Sequence, residues 1–196
     1  GGTNREGWYV DDILISEPTC PEPTTLTAAN ITATTADLGW TEAGTATTWD
    51  IEHGTTGFSP TGTPTVTSTT TNPHNLIGLT ANTTYDFYVR ADCGGGDEST
   101  WTGPFSFTTP CAVISALPWT EGFESGSTTL ACWSVNNNNA DGDTWAIQTS
   151  ATYANSGTQS CQMYTDYNGG ANDDYLISPQ LTLTGNQRLK FYQRVR

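Results

Sequence analysis

Basic residues are scarce in this chain. Six Lys and Arg face 20 Asp and Glu, for a formal net charge of −14. A chain of that sign repels nucleic-acid phosphates and anionic membranes, so no nucleic-acid partner is expected. Four of the six basic residues, Arg188, Lys190, Arg194 and Arg196, crowd into "RLKFYQRVR" at the end. That stretch alternates as a strand with one charged face and is too short for a nucleic-acid patch. Long apolar runs are missing too. No segment is apolar over the length a bilayer needs, and no signal peptide or lipidation motif is present. No apolar stripe of helical period appears, which excludes a helical bundle. What the chain has instead is Thr, its commonest residue, with 20 Gly and 10 Pro, a composition of strands and turns. Seven Trp and eight Tyr give it enough apolar area to fold.

Catalytic signatures are equally thin. There are two His, His53 and His74, and neither lies near a nucleophile motif. No G-x-S-x-G, H-E-x-x-H or P-loop occurs, and no spacing marks a glycosidase-type carboxylate pair. The expectation is that the chain is not an enzyme. The five Cys (Cys20, Cys93, Cys111, Cys132 and Cys161) form no C-x-x-C, which argues against a zinc or thioredoxin-type site. Spaced Cys in a Thr-rich, Lys-poor chain fit an oxidising, extracellular setting. The sequence opens without an initiator Met and reads as an internal piece of a longer secreted protein. Asn30-Ile-Thr and Asn82-Thr-Thr satisfy the glycosylation sequon, a match that arises easily by chance where Thr is so common.

Two near-copies punctuate the chain, "DDILIS" at Asp11–Ser16 and "DDYLIS" at Asp173–Ser178. Strands tolerate Asp poorly, so a doubled Asp leading into an apolar run needs a reason. After the first copy, Pro18, Pro21 and Pro23 mark a linker. From Cys20 to about Pro110 short alternating segments recur at a spacing of about 8–12 residues, the rhythm of a β-sandwich. After Pro110 the texture changes to "LPWTEGFESGSTTLACWSV", the Asn- and acid-rich "NNNNADGDTW", and further strand-like runs. The expected fold class is all-β.

In the middle region Leu79, Thr83 and Tyr85, within "LTANTTYDFYVRA", resemble the corner of the fibronectin type III domain, with Ala81 where a Pro is usual. Trp40 sits where that family places its inner-sheet Trp. The resemblance implies an immunoglobulin-like sandwich over 18–110 with Trp40, Ile51, Leu79, Tyr85, Phe87 and Val89 in its core and the Tyr85 hydroxyl returned to upstream backbone. It also implies that Cys93 lies at the pole of the N-terminus, near Cys20, which makes Cys20–Cys93 the first disulfide expected; sequence alone leaves connectivity open.

The later motifs resemble MAM-like jelly rolls of the cleaved adhesin kind: an early Phe-Glu, Cys-Trp, Asp-Gly-Asp-x-Trp, then Asp-Asp-Tyr-Leu-Ile-Ser. Residues 111–196 then correspond to the N-terminal part of such a jelly roll, and residues 1–17 to the last strand of a preceding one. Cys111 and Cys132 bracket the first stretch and are candidates to pair. That leaves Cys161 either as a buried thiol or bound to a partner elsewhere. The resemblance further implies calcium, with Glu124, Asp173 or Asp174 and, for the preceding domain, Asp11 or Asp12 as ligands, while Asp141 and Asp143 are candidates by their spacing. Oxygen ligands on the Asn139–Asp143 turn suit that ion, although the closing Glu of an EF-hand is absent; an Asx turn bonded to its own backbone is the alternative.

These readings point to a non-catalytic repeat segment of a bacterial cell-surface adhesin or surface filament, extracellular or secreted. Its partners would be other domains or copies of the same protein, or surface glycans and proteins. The alternative is an accessory binding module of a secreted protease or glycoside hydrolase. An incomplete jelly roll also leaves open edges that a neighbour's residues 1–17 could cover; residues 8–16 paired within their own chain, or unpaired, would rule that out.

Overall fold

The computed structural model describes residues 10–13, 19–140, 142–164 and 173–194. Their regular structure is eleven strands and one 3₁₀ turn, Leu130–Cys132. The strands are β1 (Thr24–Ala29), β2 (Thr35–Thr41), β3 (Thr48–Thr55), β4 (Val66–Thr69), β5 (His74–Ile77), β6 (Thr84–Asp92), β7 (Thr102–Thr108), β8 (Ser134–Asn137), β9 (Ala146–Thr149), β10 (Gln159–Gln162) and β11 (Asp174–Ile177). The sheets run β1-β2-β5, β4-β3-β6-β7, β10-β9 and β11-β8, the β-sandwich sheets of an all-β protein. No helix is long and apolar enough to cross a membrane.

The chain divides into two compact units. The first comprises 1–27, 38–74 and 86–105. Its core is Leu38, Trp40, Trp49, Ile51, Phe87, Val89 and Ala91, all buried. The rings of Trp40 and Trp49 meet edge-on at 5.4 Å, an arrangement aromatic pairs favour over face-to-face stacking. Strand β3 is buried on both faces: Asp50 and Glu52 are nearly as inaccessible as Ile51 between them. Cys20 and Cys93 are joined by a disulfide with a Cα separation of 5.8 Å.

The second unit comprises 28–37, 75–85 and 106–196. Ala36, Leu76, Leu79, Tyr85 and Phe107 are buried there. The Thr80 N–H donates to the Tyr85 Oη at 2.9 Å, and the Tyr85 and Phe107 rings stack at 5.8 Å. Thr109, 1% exposed, donates through Oγ1 to the carbonyl of Thr80, and its own N–H bonds the Thr83 carbonyl. Further along, Cys111 and Cys132 form the other disulfide. Strands β8 and β11 pair antiparallel with Leu176 opposite Val135, and β9 pairs β10 with Cys161 opposite Ile147.

Two strand expectations fare differently from the rest. Val10, Asp11, Asp12 and Ile13, the described part of the segment expected as a strand over 8–16, lie outside every strand and are exposed. The remainder of that segment lies outside the described residues. The idea that a neighbour's residues 1–17 complete the jelly roll therefore has no support in these four. Residues 188–194 also form no strand despite their alternation.

Candidate functional site

The second unit contains a hollow of about 140 Å³. Its lining comes from four short strands and the turns before them: Phe123, Trp133, Val135, Trp145, Cys161 and Leu176 among others. Alternation puts Val135 on β8 and its partner Leu176 on β11 on one face, and both reach the hollow. Trp133 is sandwiched, stacking on Trp119 at 6.1 Å and tilting against Phe123 at 5.0 Å. Cys161 is a free, half-buried thiol, and burial pushes its pKa up. A thiol held protonated by apolar surroundings is a poor nucleophile.

Two carboxylates anchor the chain around this hollow. Glu124 receives the N–H of Thr158 and of Gln159, each at 2.8 Å, and the Thr158 hydroxyl at 3.0 Å. These bonds hold its pKa below the usual carboxylate value. Gly157 is required beside it: φ is +70°, and a Cβ there would lie 2.2 Å from the Glu124 Oε1. Glu121 receives the Phe123 N–H and the hydroxyls of Ser127 and Thr129, at 2.7, 2.7 and 2.6 Å. Burial works to raise its pKa, and the hydrogen bonds from Thr129, Ser127 and Phe123 outweigh it. Sequence reading did not single out Glu121. The available signal was an acid followed by Ser and Thr within one turn-rich stretch, "TEGFESGSTT".

Of the five residues expected to bind calcium, four are described. Glu124 is engaged with the 158–159 backbone. Asp141 lies outside the described residues. Asp173, the neighbour of Asp174, accepts from Asn138, and the Asp174 carbonyl accepts from the Trp145 Nε1 at 3.3 Å. Asp143 is half-buried. Asp12 is exposed at φ 55°, its N–H bonded to the Asp11 carboxylate. Among the described residues no three His, Cys, Asp or Glu side chains form a group that could hold a metal ion.

In the first unit the polar chemistry is structural. Arg90 grips Asp50 Oδ2 through Nε and Nη2 at 3.0 and 2.8 Å, reaches Glu98 through Nη1, and lies 4.8 Å over the Trp101 ring. Glu52 takes the Thr61 N–H and hydroxyl, and Asp86 takes the Gly57 N–H, so two carboxylates clamp the loop between β3 and β4. His53 and His74 each bond a Thr hydroxyl through Nδ1, at 2.7 Å to Thr65 and 3.0 Å to Thr69. Desolvation lowers both imidazole pKa values.

Comparison with known proteins identifies two domain types in the chain. Residues 21–108 match the model of the fibronectin type III domain and residues 117–196 that of the Cleaved Adhesin Domain. Neither model describes a catalytic domain. Among curated proteins, exoglucanase B of Cellulomonas fimi is 30% identical over 164 residues, and endoglucanase B of the same organism is 32% identical over 155. Those matches take in 73% and 69% of this chain but only 15% and 14% of the relatives' lengths. Among solved structures, a fibronectin type III domain from a human protein is 18% identical, covering 53% of this chain and 85% of its own, with a TM-score of 0.41.

Proposed function

We propose that this chain, which joins a fibronectin type III domain to a cleaved adhesin domain, is a non-catalytic extracellular segment of a bacterial surface protein. The succession of those two domain types in one chain is the observation that carries the reading. In this account the first domain is a spacer and the second an adhesive element. Its partners are neighbouring domains or copies of the same protein, and a glycan or protein surface. Two disulfides and the carboxylate-clamped loops support a role that demands rigidity outside the cell, where disulfides persist. Tyr164, 60% exposed, is the kind of amphipathic ring that stacks on sugars or docks on proteins. A panel of glycans and extracellular proteins probed with the full chain tests this. Saturable capture that Tyr164→Ala weakens supports the adhesive role, and capture by nothing on the panel refutes it.

The glucanase relatives favour a second reading, an accessory module of a secreted glycoside hydrolase. Insoluble cellulose separates the two. Retention on cellulose with no capture on the panel supports the second reading, and the reverse supports the first.

A further inference from the structure

We propose that the Cys20–Cys93 disulfide routes tension along the chain around strands β1 to β6 and onto β7, so that the fibronectin type III domain, when pulled, yields by releasing residues 94–110 and no further. The inference rests on the reading of that domain as a spacer between other segments.

Chain connectivity comes first. Residues precede Cys20 and follow Pro110, so a pull on the chain enters the domain at the first and leaves it at the second. Between Cys20 and Cys93 there are two covalent routes. One is a backbone span of 73 residues, and the other is the disulfide, which joins Cα atoms 5.8 Å apart. Tension follows the shorter route. Strands β1 to β6 all lie inside the bypassed loop, together with the buried Leu38, Trp40, Ile51, Phe87 and Val89.

What remains on the path is the turn after Cys93 and strand β7. The turn folds back on itself, with the Cys93 N–H on the Asp97 carbonyl at 2.9 Å, so it holds slack. Strand β7 is already extended, is the last strand of its described sheet and is hydrogen-bonded there to β6. Cys93 follows the final residue of β6. Pro110 sits by the other end of β6, where its carbonyl accepts the Asn82 N–H at 3.1 Å. The two pulled points are therefore at opposite ends of the β6–β7 pair. Tension drags β7 lengthwise past β6, which strains the bonds between them together rather than one after another.

The exit end is clasped. Thr109 Oγ1 donates to the Thr80 carbonyl at 2.7 Å and accepts the Thr83 N–H at 3.0 Å, while the Thr109 N–H donates to the Thr83 carbonyl at 3.0 Å. Thr109 is buried, so water does not compete for these bonds. The lengths follow from the count of freed residues. The 17 residues between Cys93 and Cys111 reach about 60 Å when extended. In the fold that span is about the length of β6, about 27 Å for nine residues. Release therefore adds about 35 Å. Without the disulfide, the 90 residues between Cys20 and Cys111 unravel and add about 280 Å.

Single-molecule pulling on the full chain, tethered at its two ends, reads these steps. The unaltered chain is expected to show a step of about 35 Å. Thr109→Val lowers the force of that step at unchanged length, which assigns it to β7. Cys20→Ser with Cys93→Ser replaces it by a step of about 280 Å, about eightfold longer. Three results overturn the proposal: a step of about 280 Å in the unaltered chain, a Thr109→Val chain that yields at the unaltered force, or a double Ser variant that extends no further than the parent. The step length of the unaltered chain decides even where the Ser variant does not fold. A chain that captures no glycan or protein surface would leave these lengths unchanged, so the adhesive reading and the tension path fail separately.

Discussion

Replacing Arg90 by Leu strands a buried charge. Arg90 is the one basic residue between positions 6 and 187, and its side chain is 15% exposed. It gives two hydrogen bonds to Asp50, whose side chain is 7% exposed, and the remaining partner of that carboxylate is the Ser68 N–H at 2.9 Å. Leu fills much of the space of the lost stem but supplies no charge. Breaking a buried pair by removing one partner costs about 3–5 kcal/mol, because the other charge stays desolvated. At about 4–8 °C per kcal/mol for a domain of this size, the melting transition falls by at least about 12 °C. Loss of the Trp101 contact adds up to about 1 kcal/mol. Thermal unfolding followed by tryptophan fluorescence measures this, since Trp40, Trp49 and Trp101 all belong to the same unit. Asp50→Asn in the Arg90→Leu background removes the orphaned charge and recovers part of the loss. A loss below about 1 kcal/mol for Arg90→Leu would put the pair in the class of surface ion pairs and refute the reasoning.

Other perturbations follow from the same structure. Replacing Cys20 and Cys93 together by Ser costs about 4 kcal/mol and replacing Cys111 and Cys132 about 3, because the spans closed are 73 and 21 residues; denaturant midpoints under non-reducing conditions check the order. Tyr85→Phe costs about 1–2 kcal/mol by removing the acceptor of the Thr80 N–H, and faster hydrogen exchange at the Thr80 amide locates the effect. Glu124→Gln speeds exchange at the Thr158 and Gln159 amides, because the carboxylate that accepts from both is lost. Acid weakens the fold in two stages. The folded His53 and His74 pKa values lie below 6.5, so the unfolded chain binds more protons as pH falls through that value, and stability drops. The folded Glu52 and Glu121 pKa values lie below 4.5, so their contribution is present above that pH and is lost as pH falls through the folded values. His53→Asn with His74→Asn removes the first stage alone in a pH series of unfolding midpoints.

Much of the architecture was legible because period-2 patterns report burial on one face. Ile51, Phe87 and Val89 alternate with polar residues, and all are buried. What pattern could not reveal was the burial of the intervening polar residues. Asp50 and Glu52 read as a solvated face, yet the 56–69 segment covers them, and only three-dimensional pairing with Arg90, Thr61 and Gly62 makes that tolerable. Glu124 shows the same limit in reverse. Its position in a Phe-Glu pair did not reveal that its oxygens accept backbone N–H groups from 158 and 159, distant in sequence. The alternation of 188–194 was equally plain, but a strand requires a neighbour, and a single sequence does not show which edge is free.

In the proposed role the chain holds a surface and carries out no reaction on it. Incubating the full chain with the glycan and protein panel, and reading retained protein and released product in the same wells, tests that most directly. The account predicts saturable retention with no reducing ends and no new peptide termini. Product that accumulates in proportion to the chain's concentration would contradict it.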